Sequence, residues 1–163
     1  MIKLTPEQIA QFFHRSYTAV DGLWFMKVEE QYGFDIALDI DEEVWKVMPK
    51  IQARFLKSIT ELNTGIQALI ECFTTKLKIE NFVFTVEESI VDKSYIISIK
   101  QCPWFDLLVK SKRTHLAEKI GTRICNTEFG IWAQEFGSEI QCELDNKLCK
   151  GGGCCTIKIQ EQP

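Results

Sequence analysis

Apolar residues recur at helical spacing through the first half of the chain and switch to strict alternation in the second. Thr5-Pro6-Glu7-Gln8 signs a helix start: an N-cap threonine, proline at the first helical position and glutamine closing a capping box. Ile9, Phe12, Phe13, Ser16, Tyr17 and Val20 follow as one stripe. Asp21-Gly22 predicts an interruption, after which a second helix carries Trp24, Phe25, Val28 and Tyr32 up to Gly33. Asp39 or Asp41 can cap a third helix, with a stripe through Val44, Met48, Ile51, Phe55, Ile59 and Leu62. Pro49 inside that stripe should kink or restart it. A fourth segment, from Ile66 to Leu77, keeps the period through Leu69, Ile70 and Phe73.

In the second half, Phe82, Phe84 and Val86 alternate with Val83, Thr85 and Glu87, and Tyr95, Ile97 and Ile99 alternate with Ile96, Ser98 and Lys100. These are two strands joined by a hairpin-length link at Val91-Asp92-Lys93-Ser94. A long helix is expected from Lys112 to Phe136. Ile140, Cys142 and Leu144 then alternate as a third strand. After Gly151-Gly152-Gly153, Cys155, Ile157 and Ile159 form a fourth. The expected class is α+β: N-terminal helices followed by a β-β-α-β-β antiparallel sheet unit. The expectation is one domain over residues 1–163, helical through 1–78, with the sheet and long helix in 79–163.

A chain of 163 residues can bury roughly 70% of the surface its unfolded form exposes, so it needs neither metal nor disulfides merely to fold. The net charge of −4, with no block of like charges, argues against nucleic acid as a partner, since displacing counterions needs a basic stripe. The N-terminus lacks a basic segment followed by an apolar run, and no apolar stretch approaches the ~20 residues that span a bilayer. The expectation is therefore no membrane and a cytoplasmic location. Seven cysteines in a reducing compartment point to metal, redox or nucleophilic chemistry, or to plain packing.

The cysteines divide by context. Cys72, between Ile70 and Phe73, and Cys142, in phase with its strand's apolar residues, read as small buried hydrophobes. Cys102 follows a strand and precedes Pro103-Trp104, where the chain must leave the sheet; a turn cysteine and a site cysteine are equally good readings. On the long helix, Ile120, Ile124, Phe129, Ile131 and Trp132 form an apolar arc that also contains Glu128 and Glu135. A carboxylate there must find hydrogen bonds, a cation or a metal, or stay protonated. Glu128 lies one turn from Cys125, a spacing that suits a metal or acid/base pair, whereas Glu135 reads as reaching water at the helix end. Three glycines can fold Cys149 back toward Cys154 or Cys155, as a metal knuckle needs. That spacing is not a standard zinc-ribbon one. His14 and His115 are too few for a histidine-based zinc site, and no nucleophile elbow, Walker loop or dinucleotide fingerprint occurs.

Three resemblances converge on these residues. Val20 to Glu29, Asp41-Glu42-Glu43-Val44-Trp45, Cys102-Pro103-Trp104 and Cys149 to Cys155 resemble a family from anaerobic bacteria and archaea that has no assigned activity. The second half is similar to 2-aminothiazoline-4-carboxylate hydrolase-like proteins in Cys102-Pro103, in Cys125 with an acid three residues on, and in Gly152 with Cys155. It departs in carrying Glu128 where aspartate is more usual. The closing strand-loop-strand resembles vinyl-reductase-type small-molecule-binding domains, some of which hold zinc through cysteines; Thr156 replaces their aromatic after the last cysteine. The cysteines and the glycine loop lead to the expectation of a small-molecule- or metal-binding domain, its pocket between the helical half and the sheet, with a metal such as zinc held by Cys102, Cys125, Cys149 and Cys155. The alternative is a hydrolase of an amidine or thiazoline-like ring that uses Cys102 or Cys125 with Glu128 as proton carrier. A small-molecule ligand is the expected partner, and a homo-oligomer is compatible with the reading.

Overall fold

The computed structural model describes residues 2–90 and 93–162. Val91 and Asp92, half of the expected hairpin link, lie outside the described residues. The chain divides between Glu43 and Val44 into two compact units.

The first unit is helical. Helix α1 spans Pro6–Tyr32 and opens with the expected capping box, the Thr5 hydroxyl accepting from the Gln8 N–H and the Gln8 side chain from the Thr5 N–H. It runs unbroken through Asp21-Gly22, where two helices were expected. One helical glycine costs only about 1 kcal/mol against alanine, and nothing crowds Gly22. The helix stops at Gly33, and α2 (Phe34–Trp45) follows at once, earlier than a cap at Asp39 or Asp41 would place it. Phe25, buried, meets Phe34 edge to face at 5.9 Å, and Ala37 and Leu38 are buried nearby in sequence. The expected stripe is largely exposed: Ile9, Phe12, Phe13 and Val20 face outward.

The second unit carries α3 (Met48–Ile59), α4 (Ile66–Ile79), β1 (Val83–Ser89), β2 (Ser94–Gln101), α5 (Pro103–Lys110), α6 (Ala117–Phe136), β3 (Ile140–Asp145) and β4 (Cys155–Glu161). Pro49 restarts the helix, standing in the first turn of α3, where its missing N–H is no loss. The buried face of α3 is Pro49, Ala53 and Leu56, while Ile51, Phe55 and Ile59 are exposed, contrary to the expected stripe. Small Ala53 lets the helix approach closely, and that contact overrides the bulkier periodic face. Two further corrections concern the stretch after β2. The segment 103–110 is helical because Pro103 starts a turn, and the long helix begins at Ala117, not Lys112, whose φ of +60° breaks the helical path.

Among the described residues the strands make one four-stranded sheet, ordered β1-β2-β4-β3, with every neighbouring pair antiparallel. The α+β class, with helices before an antiparallel sheet, is as expected, and α5 is added to the single helix expected between the two strand pairs. Alternation sends Tyr95, Ile97 and Ile99 of β2 and Ile157 and Ile159 of β4 into one core with Leu69, Phe73 and Leu77 of α4 and Phe129, Trp132 and Phe136 of α6. Phe73 meets Trp132 edge-on at 5.4 Å, and Trp132 stacks with Phe136 at 6.1 Å. Each such fully buried side chain contributes roughly 1.5–3 kcal/mol, which makes the α4–α6–sheet core a rigid platform for what stands at its edge.

Candidate functional site

The two central strands set the site. Cys155 of β4 pairs across from Ile99 of β2, so the end where β2 leaves the sheet is the end where β4 enters it. Cys102 stands just past that exit, in extended conformation, as the N-cap of α5. Its sulfur makes no capping hydrogen bond, although the backbone N–H groups of Phe105 and Trp104 at the start of α5 act to lower its pKa. On the entry side, a short 3₁₀ turn at Leu148–Lys150 ends on Gly151 at φ +82°, which L side chains rarely adopt. That turn aims the Leu148 N–H at the Cys155 sulfur, 3.3 Å away, and it lifts Cys149 onto α6. A Cβ at Gly121 would stand 2.9 Å from Cys149 Sγ, so only glycine lets that sulfur rest on the helix.

Gly121, Cys125 and Glu128 follow at steps of four and three and share one face of α6. Cys149 covers the first of them; Cys125, half-buried, comes next; Glu128 is fully buried below. The four thiols sense one another electrostatically. Cys125 lies in the field of Glu128, Cys102, Cys155 and Cys149, and Cys102 in that of Cys155 and Glu128. Burial above all, and then these negative neighbours, hold the Cys125 thiol well above its usual pKa. Burial pushes Cys102 up to about 12 against the pull of the Phe105 and Trp104 backbone, and raises Cys149 and Cys155 as well. The four sulfurs are therefore thiols at neutral pH, and a cation among them would favour deprotonation.

Beneath the thiols lies a buried ionic network. Lys76 of α4 donates to Glu128 at 2.5 Å and contacts Glu80 at 3.0 Å, all three being at most 6% exposed. Gln52 and the Trp104 indole N–H also donate to Glu80, at 3.2 and 3.4 Å. Trp104 in turn packs edge-on against Trp45 at 5.8 Å. Burial works against a charged Lys76, but Glu128 and Glu80 overcome it and hold the ammonium protonated beyond its usual range. One cation cannot neutralise two buried carboxylates. Burial raises the Glu128 pKa against the pull of Lys76, and the charge of Glu80 adds to the rise. The network thus sets the Glu128 carboxyl, its pKa raised by burial, one turn along α6 from Cys125.

Residues 4–149 match the family of unknown function DUF6125. The chain belongs to DUF6125. Nothing among the curated proteins matches it. The match takes in Cys102, Cys125 and Cys149 together with Lys76, Glu80 and Glu128, and stops before Cys155.

Each residue singled out from the sequence thus has a definite place in this DUF6125 chain. Cys102, Cys125, Glu128, Cys149 and Cys155 gather at one end of the sheet. Cys72 is buried, and burial alone raises Cys142 to about 12, with no other thiol contributing, so both stand apart as packing residues. Cys154 approaches the Thr156 hydroxyl at 3.7 Å instead. Glu135 does not simply reach water; Arg54 holds it with two hydrogen bonds, at 2.9 and 2.8 Å. His115 is exposed. Lys76, Glu80 and Gly121 were missed. Lys76 and Glu80 fall on the apolar face of α4 with Leu69, Phe73 and Leu77, the same signal that singled out Glu128 on α6. Gly121 carries no sequence signal beyond being a glycine in a helix.

Cysteine sulfurs are the donor type a soft metal such as zinc takes, and the Leu148 N–H bond to Cys155 is of the kind that orients a metal thiolate. The geometry is looser: among the described residues no group of three or more His, Cys, Asp or Glu side chains is drawn together closely enough to hold a metal ion. Coordination would need the cysteine side chains to rotate inward. No helix of the described residues is long and apolar enough to cross a membrane.

Proposed function

We propose that this DUF6125 protein is a cytoplasmic binding domain that takes a thiophilic ligand, a soft divalent cation such as zinc or a small molecule that thiols grip, at Cys102, Cys125, Cys149 and Cys155. One observation carries the reading: four thiols from the end of β2, from α6, from the 3₁₀ turn and from β4 share one field above a buried carboxylate. Packing alone gives no reason for a glycine to lie beneath one of them or for a backbone N–H to point at another. A bound cation would supply the positive charge that lowers the thiol pKa values. The protein's part is then to hold Cys155 by the Leu148 N–H, seat Cys149 on Gly121, present Cys102 at the start of α5 and carry displaced protons toward Glu128. Seven free thiols also suit a reducing compartment.

The test is titration of the reduced protein with zinc and with cobalt(II), whose thiolate complexes absorb in the visible. One equivalent bound, with a thiolate charge-transfer band that Cys102→Ser and Cys125→Ser remove and Cys72→Ser leaves intact, supports the reading. No binding by either ion, and no change in melting temperature on adding chelator, ends the metal form of it.

A hydrolase of amidine or thiazoline-like rings is the second reading, favoured by Glu128, whose raised pKa beside Cys125 suits a proton carrier. The elevated thiol pKa values weigh against it, because the nucleophile is the thiolate. Hydrolysis of a panel of cyclic amidines at equal rates by wild type and Cys125→Ala removes this reading.

A further inference from the structure

Within its own unit, helix α1 leaves an apolar seam uncovered. Ile9, Phe13, Ser16, Val20 and Leu23 follow at steps of four, three, four and three, the heptad spacing of a helix that packs along another helix. Phe12 and Trp24 widen the seam on its two sides, and no charged residue enters it between Ile9 and Leu23. Within its own unit the helix buries a different side, through Phe25. Phe13 and Val20, at the centre of the seam, are 65% and 66% exposed, and Ile9, Phe12, Leu23 and Trp24 are exposed as well. Together the seam side chains leave roughly 650 Å² of mostly apolar surface open, within the range of about 600–1,000 Å² that each partner contributes to a standard stable interface. Isolated monomers rarely leave so large a contiguous patch in water.

We infer that a second copy of this chain covers the seam, α1 lying along α1 of its partner in a two-fold pair. Three features select a copy over other occupants. The heptad step matches a helix and not an extended peptide. The exposed area falls within what a dimer half needs. The helix carries Glu7, Asp21, Glu29 and Glu30 against Arg15 and Lys27, the wrong sign for an anionic membrane surface, which favours lysine and arginine along the polar face. In a two-fold pair the same patch serves both sides, so an uncharged seam meets itself without repulsion. This inference is independent of the cysteine site.

Sedimentation velocity of the full chain in reducing buffer, at roughly 1 to 100 μM, reads the mass directly. Wild type is expected at twice the chain mass of 18.8 kDa. Val20→Glu places a charge in the seam centre and should raise the dissociation constant by about 100-fold or more, giving monomer. Arg15→Glu, on the polar side, should leave the dimer. A wild type that stays monomeric across the range, whether free or bound to lipid vesicles, overturns the inference. So does a Val20→Glu protein that remains dimeric. If Val20→Glu loses helicity by circular dichroism, Phe13→Glu and the wild-type mass decide.

Discussion

Lys76→Met tests the buried network most directly. The substitution keeps the stem volume and removes the one cation between two carboxylates, at 2.5 and 3.0 Å, that have almost no access to water. Breaking a buried pair from one side typically costs about 3–5 kcal/mol, because an uncompensated charge stays behind. Against a total stability of roughly 5–15 kcal/mol this is a large loss, equivalent to a fall of about 6–20 °C in melting temperature at this chain length. The pH dependence separates this cause from lost packing. Without Lys76, Glu128 loses the cation that opposes the burial-driven rise of its pKa, so its folded-state value stands above its unfolded value. A group so shifted supports the fold fully below its unfolded pKa and withdraws that support as pH rises through its folded pKa. The variant should therefore be least stable at neutral and higher pH and recover as pH falls toward the ordinary carboxylate range. Urea unfolding of wild type and variant at a series of pH values measures this. A loss under about 1 kcal/mol, or the same loss at every pH where the wild type is folded, would refute the account of the network as a charge-balancing device.

Two further outcomes follow from the site geometry. Gly121→Ala puts a methyl group where Cys149 Sγ now rests, so the 3₁₀ turn must shift; metal or ligand affinity should fall at least tenfold, while thermal stability changes by under about 2 kcal/mol, read by isothermal titration and calorimetry. Reaction of Cys102 with iodoacetamide should be very slow at pH 7, since a thiol with a pKa of about 12 is only on the order of 10⁻⁵ ionised there. Mass-mapped alkylation that labels Cys102 faster than a cysteine in a short peptide would contradict that environment.

Local pattern carried a good part of this architecture. The capping box at Thr5-Gln8, the alternation of Tyr95, Ile97 and Ile99, and that of Ile157 and Ile159, each depend on residues within one element, so the chain itself announced them. The cluster cysteines were legible for the same reason. Cys102 marks a strand exit before proline, Cys125 sits one turn from a misplaced acid, and Cys149 and Cys155 flank a glycine run. Which apolar stripe faces the core was not legible. Ile51, Phe55 and Ile59 on α3, like the seam of α1, have the period of a buried face, yet periodicity states only that a helix has a sticky side and not what covers it. The tertiary fold made that choice through Ala53, where a small residue lets helices approach. Only the fold, likewise, placed Lys76 between Glu80 and Glu128: the latter pair lies 48 positions apart in the sequence, and the energy of a buried charge depends on neighbours that linear spacing does not encode.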